Sequence, residues 1–301
     1  MAKWTIDDMP DQTGRTVLIT GANSGLGLRS AEALASRGAR VLMGCRNQVK
    51  AAAALEAVRN AAADAPPEVV PLDLADLEDV RACAERLTNE LNHLDVLMNN
   101  AGAMAPRQRT RQGFEMQFAT NHLGHFALTG LLLPLLRRAH ASRVVTVSSV
   151  VHRAARIRFN DWEEKGYSRW FPYIQSKLAN LLFTSELQRR ATAADADLLA
   201  VAAHPGYAAT SLSSGLPTVY RLGAKVSDRL FAQPDRMGAL PQLYAATMPD
   251  VGPDDYWGPD GFMERCGWPK RVSRSGAARD GDAARRLWEA SEKLTGITYP
   301  W

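Results

Sequence analysis

Short runs of apolar, largely β-branched residues alternate along the chain with longer stretches whose apolar positions recur at helical spacing. The short runs predict strands at residues 16–20, 40–44, 68–72, 94–98, 143–148 and 198–203. The longer stretches predict helices at residues 25–37, 48–63, 76–91, 112–139 and 172–191. This alternation is typical of an α/β fold with a doubly wound parallel sheet, here of about seven strands, and helices on both faces. No repeat or low-complexity linker interrupts it, so we expect a single domain over residues 1–301.

Two segments are longer than such a sheet requires, residues 152–171 and 207–234. The first contains the aromatic residues Phe159, Trp162, Tyr167, Trp170 and Phe171. Long loops after the carboxyl ends of parallel strands usually cover a ligand crevice, which favours a role as a substrate lid. Ordinary packing against the core is the alternative that the sequence leaves open.

Composition and charge limit the classes of protein to which the chain can belong. The 301 residues are 46% hydrophobic, enough for a large core, and the formal net charge of +4 is scattered along the chain. No long basic run interleaved with aromatic residues is present, which argues against a nucleic-acid partner.

The cysteines and the N-terminal residues indicate the cellular compartment in which we expect the protein. Cys45, Cys83 and Cys266 are too few and too far apart for a disulfide framework or a CxxC metal site, which favours a reducing environment. The charged N-terminus lacks the apolar core of a signal peptide. The longest apolar run, residues 126–136, is too short to span a bilayer. We therefore expect a cytoplasmic protein without a membrane anchor.

A glycine-rich turn follows the first predicted strand. Its glycines have the spacing GxxxGxG, and the candidate binding residues of the turn are Gly21, Asn23, Ser24, Gly25, Leu26 and Gly27. Glycine lets the backbone turn sharply and approach a diphosphate closely, while the helix that follows offers its amide donors and positive dipole end. Because the turn joins a strand to a helix, it predicts a dinucleotide site.

The end of the second strand distinguishes NAD from NADP. A carboxylate at this point would bind the ribose 2′-hydroxyl, whereas an arginine accommodates a 2′-phosphate. Residues 41–47 contain no carboxylate and include Arg46, which favours NADP(H) over NAD(H). A purely solvated role for Arg46 is the alternative.

Tyr173 and Lys177 are four positions apart in a predicted helix, and Ser149 lies 24 positions before the tyrosine. A four-residue spacing puts a phenol and an ammonium on one helix face. An ammonium nearby favours the phenolate and lowers the pKa of the tyrosine from its usual value of about 10. Such a pair arises easily by chance, but with a hydroxyl residue and a dinucleotide turn it indicates acid–base chemistry on a carbonyl or an alcohol.

These motifs together resemble the short-chain dehydrogenase/reductase family, within it the branch of the retinol dehydrogenase-like enzymes and light-dependent protochlorophyllide reductase. The resemblance extends over residues 14–297 and rests on residues 20–27, 45–47, 72–74, 99–102, 121–126, 147–149, 173–180 and 204–206. It implies a Rossmann-type fold with a cofactor half at about 14–148, a catalytic and substrate half at about 149–301, and a substrate loop at about 207–236. It also leaves homo-oligomer formation open, since family members are often dimers or tetramers.

By this resemblance Asn121, Ser149, Tyr173 and Lys177 form a catalytic tetrad. Tyr173 would exchange the proton with the carbonyl or alcohol oxygen, and Ser149 would hold that oxygen. Lys177 would lower the tyrosine pKa and bind the nicotinamide ribose, and Asn121 would anchor a water beside Lys177. The family register selects Ser149 rather than its neighbour Ser148.

The resemblance also assigns the remaining cofactor contacts. Asp73 and Leu74 would lie at the adenine side, and Pro205, Gly206 and Thr210 at the nicotinamide end. Three further residues would line the adenosine ribose and the centre of the sheet, which are Asn100, Ala101 and Gly102.

Four histidines near these motifs have a structural interpretation. His122 and His125 have helical spacing but no third ligand at a recognisable distance in sequence, so packing is favoured and no metal is expected. For His152 and His204 we expect hydrogen-bonding roles rather than proton transfer.

The sequence thus predicts an NADP(H)-dependent oxidoreductase that interconverts an alcohol and its ketone or aldehyde on a bulky, largely apolar small molecule. A non-catalytic dinucleotide-binding sensor or scaffold is the alternative, against which the intact Tyr173 and Lys177 argue. An epimerase or dehydratase would normally carry a GxxGxxG turn and a larger C-terminal domain. Protochlorophyllide reductase would carry cysteines near its pigment, and no matching cysteine lies beside the cleft motifs.

Overall fold

An eight-stranded sheet runs through the described residues of this computed structural model, which are 3–159, 168–207 and 233–301. Its strands are β1 (Thr16–Thr20), β2 (Arg40–Cys45), β3 (Glu68–Pro71), β4 (Val96–Asn99), β5 (Ser142–Val147), β6 (Leu198–Ala203), β7 (Tyr256–Pro259) and β8 (Pro269–Arg271). They lie in the order β3-β2-β1-β4-β5-β6-β7-β8. All neighbours are parallel except β7 and β8, which are antiparallel. The α/β fold is confirmed, and each of the six predicted strands is found to within two residues.

The central strands are apolar because both faces of the sheet are covered. In β1, Val17, Leu18 and Ile19 are fully buried, so no polar alternation is required there. One face packs against α1 (Gly25–Ser36), α2 (Gln48–Ala61) and a helix at Asp235–Thr247.

The other face of the sheet packs against α3 (Leu77–Glu90), α5 (Gly124–Arg138) and α6 (Trp170–Ala193). A helix at Gly281–Thr295 lies against α6. A short helix α4 (Met116–Phe118) precedes α5. In chain order the helices at Asp235–Thr247 and Gly281–Thr295 are α7 and α8.

The predicted helix at 112–139 begins later and is less regular than expected. Glu115 caps it by accepting a hydrogen bond from the Phe118 amide at 2.7 Å, so the chain before it does not continue the helix. Between α4 and α5, residues Ala119–Leu123 form a π-helical turn. A π-turn inserts one residue into the helix and is frequent at functional sites.

The C-terminal third contains elements that the sequence did not predict, namely β7, β8, α7 and α8. Strand β7 contains Gly258 and Pro259, both disfavoured in strands, and its register against β6 pairs Ala202 with Tyr256. The eighth strand is a three-residue antiparallel edge strand, which accounts for the difference from the expected seven. Within the described part of the chain, no helix combines the length and the apolar character needed to cross a membrane.

Candidate active site

The carboxyl ends of the strands open into a crevice where the strand order reverses. Strand β1 pairs with β2 on one side and with β4 on the other, so the connections leave it in opposite directions. Open α/β sheets bind ligands at such a point. A cavity of about 410 Å³ lies there. Its lining includes the predicted residues Gly21, Asn23, Ser24, Gly25, Leu26, Gly27, Arg46, Asp73, Leu74, Asn100, Ala101 and Gly102.

The glycine turn has the geometry that its spacing predicted. Gly21 and Gly25 adopt φ angles of 68° and 52°, which strain any residue with a side chain. A Cβ at Gly27 would overlap the Gly21 carbonyl and the Asn100 amide. Helix α1 begins at Gly25, so its free amide groups face the cavity. The turn therefore fits the diphosphate of a dinucleotide.

Thr20 ties the glycine turn to the end of β4. Its hydroxyl accepts hydrogen bonds from the amides of Asn100 at 3.0 Å and Ala101 at 2.9 Å. The side chain of Asn100 returns a bond to the Thr20 carbonyl at 2.8 Å, and Gln242 of α7 donates to the Asn100 amide oxygen at 3.2 Å. These bonds hold two walls of the cavity, the glycine turn and the end of β4, at a constant separation.

The side of the cavity formed by the end of β2 and the start of α2 is lined by basic groups. Arg46 follows β2, and Lys50 lies four positions further, at the start of α2. Asn47 caps this helix by accepting a hydrogen bond from the Lys50 amide at 2.9 Å. The helix N-terminus adds a positive dipole end to the two cations. Sequence reasoning missed Asn47 and Lys50, although the spacing from Arg46 to Lys50 was a visible signal.

Asp73 and Leu74 follow β3 and also line this cavity. The Asp73 carboxylate accepts a hydrogen bond from the Ala75 amide at 3.0 Å, and its own amide donates to Asp79. Leu74 is buried against the first residue of α5, Gly124. This loop is thus closely packed where the resemblance places the adenine.

Tyr173 projects from α6 towards Ser149, which follows β5. Burial raises the pKa of Tyr173 to about 12, and the interaction with the Ser149 side chain opposes this effect without outweighing it. The sequence predicted a lowered pKa, and for the structure as described that expectation is wrong. A neutral phenol beside a hydroxyl group can donate a proton, as a carbonyl reduction requires.

Lys177 lies one helical turn beyond Tyr173 and is also buried. Its Nζ donates a hydrogen bond to the Val147 carbonyl at 3.1 Å and lies 5.7 Å from the centre of the Tyr173 ring. Burial lowers the pKa of Lys177 to about 8. The neighbouring Ser148 donates to the Lys177 carbonyl at 2.7 Å, so this serine holds the helix rather than facing the cleft.

Asn121 lies in the π-helical turn and is fully buried. Its amide oxygen accepts from the Ala103 amide at 2.7 Å, and its amide nitrogen donates to the Ala103 carbonyl at 3.0 Å and to Ser176 at 3.0 Å. The π-turn thus joins the loop after β4 to the helix that carries Tyr173.

At the far end of the crevice, the turn after β6 holds Pro205 and Gly206. The Pro205 carbonyl accepts a hydrogen bond from Gln233 at 2.6 Å, and Gly206 has a φ of 68°. Thr210, Trp162 and Tyr167 lie outside the described residues, as do residues 160–167 and 208–232 of the two long segments predicted as a lid. Trp170 is 53% exposed.

A second cavity of about 600 Å³ adjoins the segment after Ser149. Its lining residues are Val150, Val151, Arg153, Tyr207, Met263, Glu264 and Arg265. The last three belong to the loop between β7 and β8, which sequence reasoning did not connect with the site. No local pattern marked this loop, because it reaches the cleft only through tertiary packing.

His122 and His125 are packed in the core as expected and also form hydrogen bonds, while His152 has the hydrogen-bonding role that was expected of it. His122 contacts Ser291 at 2.9 Å among the rings of Phe118, Phe126 and Phe183. His125 contacts Thr20 at 2.9 Å and the Asn121 carbonyl at 3.0 Å. His152 bonds the Ser149 carbonyl at 2.7 Å.

Comparison with known proteins decides the family. The short chain dehydrogenase family model matches residues 15–218. The chain belongs to the short-chain dehydrogenase family. It is 41% identical to retinol dehydrogenase 14 of Mus musculus, over 94% of this chain and 86% of that protein. It is 40% identical to retinol dehydrogenase 12 of Homo sapiens, over 95% of this chain and 88% of the relative.

A solved structure extends the likeness to the whole chain. A crystal structure of a putative uncharacterized protein from Mycobacterium Paratuberculosis is 44% identical, with a TM-score of 0.83 and full coverage of both chains. The predicted resemblance to the retinol dehydrogenase-like enzymes is confirmed. The protein is an oxidoreductase of this family that acts on CH–OH groups.

Proposed function

We propose that this protein is an NADP(H)-dependent oxidoreductase that interconverts an alcohol and its ketone or aldehyde on a bulky, largely apolar substrate. The observation that carries the proposal is the buried phenol of Tyr173, which interacts with Ser149 and lies one helical turn from Lys177, whose Nζ approaches Gly102 in the wall of the glycine-lined crevice. Bound dinucleotide would supply or accept the hydride, and its contacts would come from the glycine turn, residues 100–102 and the turn after β6.

The protein's own residues would move the proton. In reduction, Tyr173 donates its phenolic proton to the carbonyl oxygen, which Ser149 holds by a hydrogen bond. Because the pKa of Tyr173 is raised to about 12, the proton is present throughout the neutral range. In oxidation the phenolate must form, and the ammonium of Lys177 one turn away favours it below the lysine's pKa of about 8.

The second cavity supports the apolar character of the substrate. Val150 and Val151 follow Ser149 directly, and Tyr207 and Met263 complete an apolar wall. The only carboxylate in its described lining, Glu264, is paired with Arg153 at 2.8 Å. The relatives of this protein are named retinol dehydrogenases, and retinol is an alcohol of the bulky apolar class that we propose.

Charge at the adenine side supports the preference for NADP(H). Arg46 and Lys50 line the cavity after β2, and the end of this strand carries no carboxylate to bind a ribose 2′-hydroxyl. A 2′-phosphate placed there would meet two cations and the N-terminus of α2.

The substitution Tyr173→Phe tests the proposal. It removes the proton donor and keeps the ring, so turnover should fall by about 10²–10⁴-fold while dinucleotide affinity stays near that of the wild type. Turnover is followed by the absorbance of reduced cofactor over a panel of apolar aldehydes, ketones and alcohols. The matched control is Tyr244→Phe on α7, where the hydroxyl donates to Asp250 at 2.7 Å, away from the crevice.

Two outcomes would contradict the proposal. Near wild-type turnover by the Tyr173→Phe variant would show that the phenol is not the acid. Dinucleotide binding by the wild type without turnover of any compound in the panel would favour a sensor or scaffold.

A further inference from the structure

The loop between β7 and β8 is bonded to the turn that follows β6. The Tyr207 amide donates to the Arg265 carbonyl at 2.7 Å. Gln233 joins the same two segments, since it donates to the Pro205 carbonyl at 2.6 Å and accepts from the Gly267 amide at 3.1 Å. A Cβ at Gly206 would overlap the Arg265 carbonyl oxygen. The position of this loop therefore determines the position of the turn.

Glu264 stands at the centre of the loop, between two other parts of the cleft. One of its carboxylate oxygens accepts a hydrogen bond from Arg153 at 2.8 Å, and Arg153 lies in the short helix that follows Ser149. The other oxygen lies 3.3 Å from Nε2 of His204. This distance is longer than a charge-assisted hydrogen bond, so the contact is chiefly electrostatic.

His204 connects Glu264 to the turn that holds Gly206. Its Nδ1 accepts from the Gly206 amide at 3.2 Å, which leaves the ring proton on Nε2, directed at Glu264. Burial lowers the pKa of His204, and the contact with His204 lowers the pKa of Glu264, so a neutral ring faces a carboxylate. A Cβ at Gly258 would overlap Nε2, so the imidazole occupies space that only a glycine at position 258 leaves open.

The backbone at Glu264 is strained, which indicates that its placement matters. Met263 and Glu264 have φ angles of 52° and 56°, in the left-handed region that residues other than glycine rarely adopt. Such conformations persist only where surrounding contacts enforce them, and they concentrate at ligand sites. Here the strain directs the carboxylate inward and leaves Met263 exposed.

We propose that Glu264 is a positioning residue which, through His204, holds the Gly206 turn in place for the nicotinamide end of the dinucleotide. The proposal rests on the proposed function, because that function places the nicotinamide beside Pro205 and Gly206. Glu264 touches neither the reacting atoms nor the adenine side of the crevice. Glu264 also lines the second cavity, so its effect on the cofactor is confined to the nicotinamide end, while the adenine side of the crevice is unaffected.

The test uses the variant Glu264→Gln, which keeps the shape of the side chain and removes its charge. NADPH and NADH probe the whole crevice, while adenosine 2′,5′-bisphosphate and ADP-ribose lack the nicotinamide. We expect the variant to bind the preferred dinucleotide about tenfold more weakly, since the negative charge that faces Arg153 and His204 is lost. Its affinity for the two fragments should equal that of the wild type.

A matched control comes from Glu186, a buried carboxylate on α6 bonded to Arg189 and Arg190 at 2.7 and 2.8 Å. Glu186→Gln removes a comparable charge away from the crevice and should leave both affinities unchanged. A second variant, His204→Asn, keeps an acceptor near the Gly206 amide but loses the contact with Glu264. It should weaken dinucleotide binding to the same extent as Glu264→Gln, and the double variant should be no weaker than either.

The outcomes separate this proposal from the proposed function. Wild-type protein that binds neither dinucleotide would refute the proposed function and this inference with it. If the wild type binds but Glu264→Gln binds equally well, only the inference fails. An equal loss of dinucleotide and fragment affinity would also overturn it, because it would point to general destabilisation.

Discussion

Two basic side chains, Arg46 and Lys50, lie where strand β2 passes into helix α2. At the scale of single residues and under the proposed preference for NADP(H), these two charges would distinguish a ribose 2′-phosphate from a 2′-hydroxyl. Each would form a charge-assisted contact with the phosphate, and neither has a comparable partner on NAD(H).

We expect the double variant Arg46→Asp, Lys50→Gln to reverse or abolish the preference for NADPH. Losing the two charge-assisted contacts should lower kcat/KM with NADPH about 10- to 100-fold, while kcat/KM with NADH rises or stays constant. The measurement is steady-state kinetics with both cofactors on one substrate. Arg59→Gln, on the same helix but outside the cavity lining, serves as the control. An unchanged ratio of the two values would refute the role of these cations.

Sequence reasoning at this scale succeeded where chemistry depends on residue type and spacing. The glycines at 21, 25 and 27 predicted a turn with positive φ and a close approach, and the structure has both. It failed for the pKa of Tyr173, because burial depends on everything packed around the ring. Lys50 was within reach of the sequence, since it lies one helical turn after Arg46.

Helix α5 begins against the loop that lines the adenine side of the crevice. A Cβ on its first residue, Gly124, would overlap the Leu74 carbonyl and approach the Leu74 side chain. At the scale of elements, this contact couples the packing of a core helix to the shape of the cofactor site.

The substitution Gly124→Ala should therefore displace either the helix or the loop. We expect a loss of about 1–3 kcal/mol in the free energy of unfolding, the usual cost of overpacking, together with weaker dinucleotide binding. Urea denaturation and cofactor titration measure the two effects. Gly276→Ala is the control, because a Cβ there has no atom within 4 Å. A Gly124→Ala variant with wild-type stability and affinity would disprove the coupling.

The helices and strands that could be predicted are those whose residues carry a local pattern. The six strands from β1 to β6 were found because buried parallel strands are continuous apolar runs. The start of the helix at Met116 was missed because the cap at Glu115 competes with a helical pattern that begins earlier. Strand β7 was missed because Gly258 and Pro259 are held in the sheet by pairing with distant β6.

Buried histidines make the free energy of unfolding of the whole molecule depend on pH. Burial lowers the pKa of His122 to about 3, and those of His125 and His152 to about 4, against an ordinary value of 6.5. In the folded protein these rings stay neutral, whereas in the unfolded chain each takes up a proton below about pH 6.5. Below about pH 6.5 the unfolded state therefore binds more protons than the folded state.

We expect the free energy of unfolding to be constant with respect to these groups above pH 7 and to fall as the pH drops from about 6.5 towards 4. Each histidine should contribute a slope of roughly 1.4 kcal/mol per pH unit in the lower part of that window. Urea denaturation at a series of pH values measures it. His122→Gln should reduce the slope, whereas His140→Gln, which removes a 96% exposed side chain, should not. A slope that His122→Gln leaves intact would contradict this account.

By itself the sequence determined the features that depend on a few neighbouring residues: the alternation of strands and helices, the glycine turn after β1, and a tyrosine and a lysine on one helix face. Only the tertiary structure decided how distant segments meet. It placed Ser148 on the Lys177 carbonyl and brought Glu264 between Arg153 and His204. The physical reason is that turns and periodicity are local properties of the backbone, whereas burial and electrostatic pairing depend on which segments the folded sheet brings together.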